Sequence, residues 1–150
     1  CGVDIFLFET MVNLEEIETI LELSRGLNQK RWLSIVLKNE KSILDGTSLE
    51  KTIRLLKKYR LDMLLINCTP IDVITNSLGL FTSLWDRKWG VFPNAGKSMP
   101  SKEGEFESKV EDDFLSKTLK HYMSLGALVL GACCGSTPNT IRKFRDIIED

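Results

Sequence analysis

The cysteines are the residues of this chain with the most distinctive chemistry. There are four, and two of them are adjacent. Cys133 and Cys134 lie in the stretch GACCGSTP, between an apolar run, 127–130, and an amphipathic segment that opens at Pro138. This order predicts a buried strand, a tight turn and a helix with proline in its first turn. Neighbouring residues of a regular strand point to opposite faces, so both thiols can face one point only where the backbone turns. The flanking glycines allow such a turn.

A third thiol, Cys68, ends another apolar strand in the stretch LLINCTP. Three thiolates that meet at one place make a zinc site with an open fourth position. Three other interpretations stay open: buried cysteines that only fill space, a strained disulfide between Cys133 and Cys134, and a closed structural zinc site with a fourth ligand. His121, the only histidine, lies in the middle of a predicted helix and is expected at the surface rather than on a metal.

The elements that must position these thiols alternate between apolar runs and amphipathic helical segments, five times over. This alternation predicts right-handed βαβ units and a parallel sheet, with the first strand buried on both faces. Two architectures fit: an open doubly wound sheet, or part of a (β/α)₈ barrel, which needs about 250 residues in full. The predicted strands are Val3 to Phe8, Trp32 to Leu37, Met63 to Ile66, Trp89 to Phe92 and Ala127 to Leu130.

Polar residues follow several of these strands, and ligands bind at the carboxyl ends of strands in both architectures. Besides the three thiols they include Glu9, Asn67 and Asn94. Glu9 fits equally well as a charge at the start of the following helix, and Asn94 fits a turn. No glycine-rich phosphate-binding motif follows any strand, which weakens a nucleotide-binding interpretation.

The composition predicts one globular domain, residues 1–150, with 43% hydrophobic and 27% charged residues. A net charge of −1 argues against nucleic acid as a partner, and no apolar run is long enough to cross a membrane. The cysteines are too few for a secreted disulfide framework, which favours the cytoplasm and leaves Cys1 as a free thiol. The opening Cys1-Gly2 directly before a strand predicts an internal start, and residues 97–108 form the one long polar loop.

Four motifs, in this order along the chain, resemble the homocysteine S-methyltransferase family. They are Phe8-Glu9-Thr10, Ile66-Asn67-Cys68, Pro93-Asn94-Ala95-Gly96 and the stretch GACCGSTP. The family includes betaine-homocysteine methyltransferase and the homocysteine-binding module of cobalamin-dependent methionine synthase. The resemblance covers essentially the whole chain and implies the α/β fold of a (β/α)₈ TIM barrel, of which this chain matches strands four to eight with their helices. The chain would then be the C-terminal half of the barrel.

The resemblance also implies roles for individual residues. Cys68, Cys133 and Cys134 would bind Zn²⁺ and the homocysteine sulfur would take the fourth position. Glu9 would pair with the substrate's ammonium group, and Asn94 would approach the zinc when substrate is absent. The implied reaction transfers a methyl group to homocysteine and gives methionine.

The methyl donor would be betaine, S-methylmethionine, S-adenosylmethionine or methylcobalamin, all of which serve within the family. The other barrel half would come from another chain, a second copy or a parent polypeptide. Two further hypotheses remain. One is a non-catalytic zinc-binding scaffold that needs a separate N-terminal half, and the other is a metal-free flavodoxin-like domain with structural cysteines.

Overall fold

The computed structural model describes residues 2–95, 101 and 111–149. All five predicted strands and their helices are present, with a short hairpin in addition. The elements are β1 (Ile5–Met11), α1 (Leu14–Leu23), β2 (Lys30–Ile35), β3 (Leu37–Asn39), β4 (Ser42–Ile43), α2 (Leu49–Leu56), β5 (Met63–Asn67), α3 (Ile71–Leu84), β6 (Trp89–Phe92), α4 (Asp112–Ser124), β7 (Ala127–Leu130) and α5 (Pro138–Glu149).

Five strands of the described chain form one parallel sheet in the order β1-β2-β5-β6-β7. Each strand therefore pairs with the strand of the next βα unit along the chain. In a doubly wound sheet, by contrast, the direction in which successive strands are added reverses. Residues of all five helices belong to one core cluster. The strand residues in that cluster alternate along their strands and so point to one face of the sheet; they include Leu33, Leu64 and Val91. The helices thus cover one face of the sheet, as in a barrel, and the flavodoxin-like alternative is wrong.

The first strand differs from its prediction, because β1 is not buried on both faces. Ile5 and Leu7 are 37% and 40% exposed, while Phe8, on the opposite face, packs against the core. The helices cover only the Phe8 side, and β1 lies at an edge of the described sheet. An apolar run can therefore belong to a strand with only one covered face.

The hairpin of β3 and β4 was not predicted from the sequence. It follows β2, which ends at Ile35 instead of continuing to Leu37 as predicted, and its two strands pair Leu37 with Ile43. A turn at Asp45-Gly46 follows it, with Gly46 at φ 91°. These strands are too short to give the alternating pattern from which a strand is predicted.

Side chains cap the amino-terminal ends of the first two helices. The Asn13 side chain accepts hydrogen bonds from the N–H groups of Glu15 and Glu16, and Ser48 accepts one from Lys51. The Asp45 carboxylate accepts from Leu14 at 2.9 Å, so it joins the hairpin region to α1. Burial acts to raise the pKa of Asp45, but hydrogen bonds from the backbone N–H groups of Thr47 and Leu14 lower it overall.

Two tight contacts fix the second half of the fold, one between strands and one between helices. A Cβ on Gly90 would lie 2.5 Å from the carbonyl oxygen of Val129 and 2.6 Å from its Cβ, so only glycine lets β6 and β7 approach this closely. Tyr122 of α4 is fully buried, and its hydroxyl donates to the carbonyl of Ile71 and lies 2.6 Å from the hydroxyl of Thr75. Burial raises the pKa of Tyr122 to about 12.

Two predictions fall on parts of the chain that the structure leaves undescribed. Cys1 lies outside the described residues, as does the polar loop 97–108 apart from Ser101. Within the described helices, none combines the length and the apolar character that crossing a membrane requires.

Candidate metal centre

The structure brings together the three cysteines singled out in the sequence. Cys68 directly follows β5, and Cys133 and Cys134 follow β7, so β6 lies between the two contributing strands. The three sulfur atoms all lie within 4.8 Å of one another, at the carboxyl end of the sheet. Sequence reasoning predicted this cluster, and the parallel order of the strands explains how residues 65 positions apart meet.

The sulfur atoms within the cluster are not equivalent. Those of Cys68 and Cys133 are close enough to form a disulfide, with Cα atoms 5.6 Å apart, and Cys134 is a free cysteine. The Sγ atoms of Cys133 and Cys134 are 3.9 Å apart, so the strained disulfide between adjacent residues is absent. The thiols therefore form one group in which Cys133 lies next to both partners.

Backbone turns aim these sulfurs at one another. Cys68 has φ 46°, in the left-handed region, and its N–H donates to the carbonyl of Phe92. Gly135 has φ 80°, which supports the prediction that glycine permits the turn after the paired cysteines. The N–H of Cys133 donates to the carbonyl of Pro93, which joins the second cysteine turn to the end of β6.

Asn94 lies between the two cysteine turns. It is fully buried and its N–H donates to the carbonyl of Thr69, while the next residue, Ala95, donates to the carbonyl of Cys134. Backbone hydrogen bonds therefore connect Asn94 to Thr69, next to Cys68, and connect Ala95 to Cys134. This buried position differs from that of an ordinary exposed turn residue.

Glu9 lies within β1 and its side chain is exposed. The helix α1 begins only at Leu14, and the acidic residues of its first turn are Glu15 and Glu16. Glu9 is thus no charge at the helix start, and that alternative is wrong. Its carboxylate lies near the carboxyl end of the sheet, on the same end as the cysteines.

A polar layer lies next to the cysteines, and of its three side chains only Asn67 was singled out among the polar residues at the strand ends. The N–H of Thr10 donates to Ser34 Oγ at 2.8 Å, and Asn67 Nδ2 donates to Thr10 Oγ1 at 2.8 Å, so three strands are connected. Thr10 has φ 61°, which is rare for a β-branched residue. The buried Asn67 Oδ1 has no hydrogen-bond partner in the described part of the chain. No spacing or motif could have indicated this layer, because it depends on the register of separate strands.

The donor set fits a metal ion. Sulfurs bound at 2.3 Å in a tetrahedral zinc site are about 3.8 Å apart, close to the 3.9 Å between Cys133 and Cys134. The sulfurs of Cys68 and Cys133 lie at disulfide distance, so this pair must be reduced before both can bind a metal. Within the described ranges, no fourth Cys, His, Asp or Glu joins the group, and His121 is exposed on α4 as predicted. Three protein ligands leave a position for a substrate, which distinguishes catalytic from structural zinc sites.

The comparisons with known proteins agree with this geometry. A profile described as homocysteine S-methyltransferase matches residues 1–148. Homocysteine S-methyltransferase 2 of Zea mays is 30% identical over 94% of this chain and 43% of its own length. The homocysteine S-methyltransferase of Escherichia coli (strain K12) is 30% identical over 96% of this chain and 47% of its own.

The fold agrees as well. The crystal structure of the metallated form of the homocysteine methyltransferase MmuM from Escherichia coli superposes with a TM-score of 0.80 at 28% identity, over 97% of this chain and 45% of that one. The predicted partial barrel is confirmed, and the chain spans less than half the length of these relatives. The chain therefore belongs to the homocysteine S-methyltransferase family.

Proposed function

We propose that residues 1–150 form the C-terminal half of a zinc-dependent barrel that transfers a methyl group to the thiol of homocysteine and yields methionine. The observation that carries this proposal is the group of three cysteine sulfurs within 4.8 Å of one another at the carboxyl end of the sheet. Membership of the family supports homocysteine as the methyl acceptor. The metallated form of the Escherichia coli relative supports a metal at the cysteines.

Cys68, Cys133 and Cys134 would hold the metal as thiolates, and their sulfur chemistry favours zinc. A zinc ion bound there would keep the thiol of homocysteine deprotonated at neutral pH, whereas a free thiol has a pKa of about 8.5. The three protein thiolates exceed the charge of Zn²⁺ by one unit, so they keep the site rich in electrons. That charge supports a nucleophilic sulfur.

Glu9 would bind the ammonium group of homocysteine, because its exposed carboxylate offers two acceptor oxygens near the carboxyl end of β1. Asn94 would lie beside the metal when no substrate is present, which its buried position between the two cysteine turns supports. These two roles orient the substrate. Holding sulfur and methyl group in line would supply much of the rate acceleration.

The methyl donor in this proposal is betaine, S-methylmethionine, S-adenosylmethionine or methylcobalamin. The remaining barrel strands would come from a parent polypeptide, another chain or a second copy. A cytoplasmic location belongs to the same proposal, because reduced thiols persist in a reducing compartment. Nucleic acid is no partner in it, since the net charge of −1 provides no basic field.

The first test is the zinc content of freshly reduced protein, measured by mass spectrometry of the metal. We expect about one zinc per chain for a single three-sulfur site, and loss of it in Cys68→Ser and in Cys133→Ser. Cys1→Ser makes the same chemical change at the cysteine that the sequence leaves as a free thiol, and it should keep the zinc. Reduced, folded protein without zinc would refute the metal centre of this chain.

A second candidate function is a non-catalytic zinc-binding scaffold that pairs with a separate N-terminal half. The exposed apolar side chains of Val3, Ile5 and Leu7, along an unpaired edge of the described sheet, favour it. Addition of an N-terminal half from a family member separates the two. Methionine formation on addition supports the enzyme, whereas zinc binding and tight association without turnover support the scaffold.

A further inference from the structure

Thr69, the residue after Cys68, has an unusual set of contacts. Its side chain is fully buried, and its hydroxyl donates to the carbonyl of Asn67 at 2.8 Å. The same hydroxyl accepts a hydrogen bond from the N–H of Leu37, the first residue of β3, at 3.0 Å. One hydroxyl therefore closes a small ring around Cys68 and ties that ring to the hairpin.

Cys68 needs such support. A non-glycine residue with φ 46° lies in a sparsely populated region and persists there only where its surroundings enforce it. The N–H of Cys68 donates to Phe92 at 3.3 Å, and the carbonyl of Thr69 accepts from Asn94 at 3.0 Å. These two backbone bonds fix the turn on the β6 side. On the β3 side the Thr69 hydroxyl supplies the connection.

The left-handed conformation of Cys68 has a consequence for the cluster. The turn places the Cys68 sulfur within 4.8 Å of the sulfurs of Cys133 and Cys134. If Cys68 were extended, it would continue the alternation of side chains along β5. Its side chain would then point to the face of the sheet opposite to that of Asn67. Whatever holds the turn therefore sets the position of one of the three sulfurs.

We propose that Thr69 is a positioning residue of the metal centre, whose hydroxyl holds Cys68 in the conformation that directs its sulfur to Cys133 and Cys134. Thr69 acts through Cys68 and is not one of the three sulfur ligands. The inference rests on the proposed metal centre. Loss of a group that orients a metal ligand typically lowers metal affinity 10–100-fold.

The test compares Thr69→Val, which keeps the shape and removes the hydroxyl, with Thr69→Ser, which keeps the hydroxyl. Thr52→Val is a matched control, because Thr52 is also fully buried and its hydroxyl donates to the carbonyl of Ser48, within the helical region of α2. Zinc affinity is measured by competition with a chromophoric chelator. The thiolate-to-cobalt absorption of the Co²⁺-loaded protein reports the ligand geometry, and urea unfolding reports stability.

We expect Thr69→Val to lower zinc affinity 10–100-fold and to weaken the cobalt absorption. Thr69→Ser should restore both, and Thr52→Val should alter stability while leaving affinity unchanged. Wild-type affinity in folded Thr69→Val would overturn the inference. So would a loss in Thr69→Ser as large as in Thr69→Val, or an equal loss in Thr52→Val.

If Thr69→Val does not fold, Thr69→Ala replaces it, because Ala and Ser differ only by the hydroxyl. Equal zinc affinity of Thr69→Ala and Thr69→Ser would then overturn the inference. Absence of zinc binding by the wild-type protein is a separate outcome. It would remove the proposed metal centre itself, and the role of Thr69 with it.

Discussion

Gly90→Ala adds only one methyl group, yet it should strongly lower the free energy of unfolding. The new Cβ would lie 2.5 Å from the carbonyl oxygen of Val129, 2.6 Å from the Val129 Cβ and 2.8 Å from a methyl carbon of Leu65. The first two atoms belong to, or are fixed by, the backbone of β7, so β6 and β7 must separate. Overpacking of this kind costs about 1–3 kcal/mol, and a clash with the backbone of β7 favours the upper part of that range.

The free energy of unfolding is measured by urea titration, followed by circular dichroism and by the fluorescence of Trp85 and Trp89, which are buried. Coincident transitions justify a two-state treatment. For a chain of 150 residues, a loss of 2–3 kcal/mol lowers the melting temperature by roughly 4–12 °C. The separation of β7 should also displace Cys133 and Cys134, so zinc affinity should fall together with stability.

Gly79→Ala is the control for this prediction. Gly79 lies within α3, and a Cβ there would meet no atom within 4 Å. Alanine is favoured over glycine inside a helix by about 0.5–1 kcal/mol, so this variant should be slightly more stable than the wild type. The reasoning is refuted if Gly90→Ala unfolds at the wild-type urea concentration, or if Gly79→Ala is destabilised as much.

Two further predictions concern the pH dependence of stability, measured by urea unfolding across a pH series. The folded-state pKa of Tyr122, about 12, exceeds the ordinary value of 10, so its contribution is present below pH 10 and is lost as the pH rises towards 12. Tyr122→Phe should remove this alkaline decline and cost about 1 kcal/mol at neutral pH; an unchanged decline contradicts the assignment. The pKa of Asp45 is lowered from 3.8, so its contribution is lost as the pH falls through the folded-state value, and Asp45→Asn should flatten the acid limb of the stability curve. An acid limb identical to that of the wild type would show that Asp45 contributes nothing there.

The strands were predictable where the sequence contains an uninterrupted apolar run between turn residues. Trp89–Phe92 and Ala127–Leu130 have the bounds expected, because Lys88 and Pro93 flank the first run and glycines flank the second. The hairpin of Leu37–Asn39 and Ser42–Ile43 was missed, since its strands are short and Leu37 is held by Thr69, which is distant in sequence. The sequence of β1 does not indicate which of its faces is covered, because that depends on the elements packed against it.

The candidate site was predictable in its cysteines and much less in its supporting residues. Adjacent cysteines at a strand end have little packing purpose, so Cys133 and Cys134 attract attention from sequence alone. The left-handed conformation of Cys68 could not be predicted, because its cause lies in bonds to Phe92 and in the Thr69 hydroxyl. Threonine after a strand is too common to indicate such a role.

The separation of the cysteines along the chain has a consequence for biosynthesis. Cys133 is 65 residues after Cys68, and β6 must join the sheet before their sulfurs can meet. At about 5–20 residues per second, Cys68 is synthesised roughly 3–13 seconds before its neighbour in the cluster is made. During that interval its thiol has no partner at the site. The metal centre can therefore assemble only after Cys133 and Cys134 have been made, and until then the nascent chain depends on its surroundings to keep Cys68 reduced.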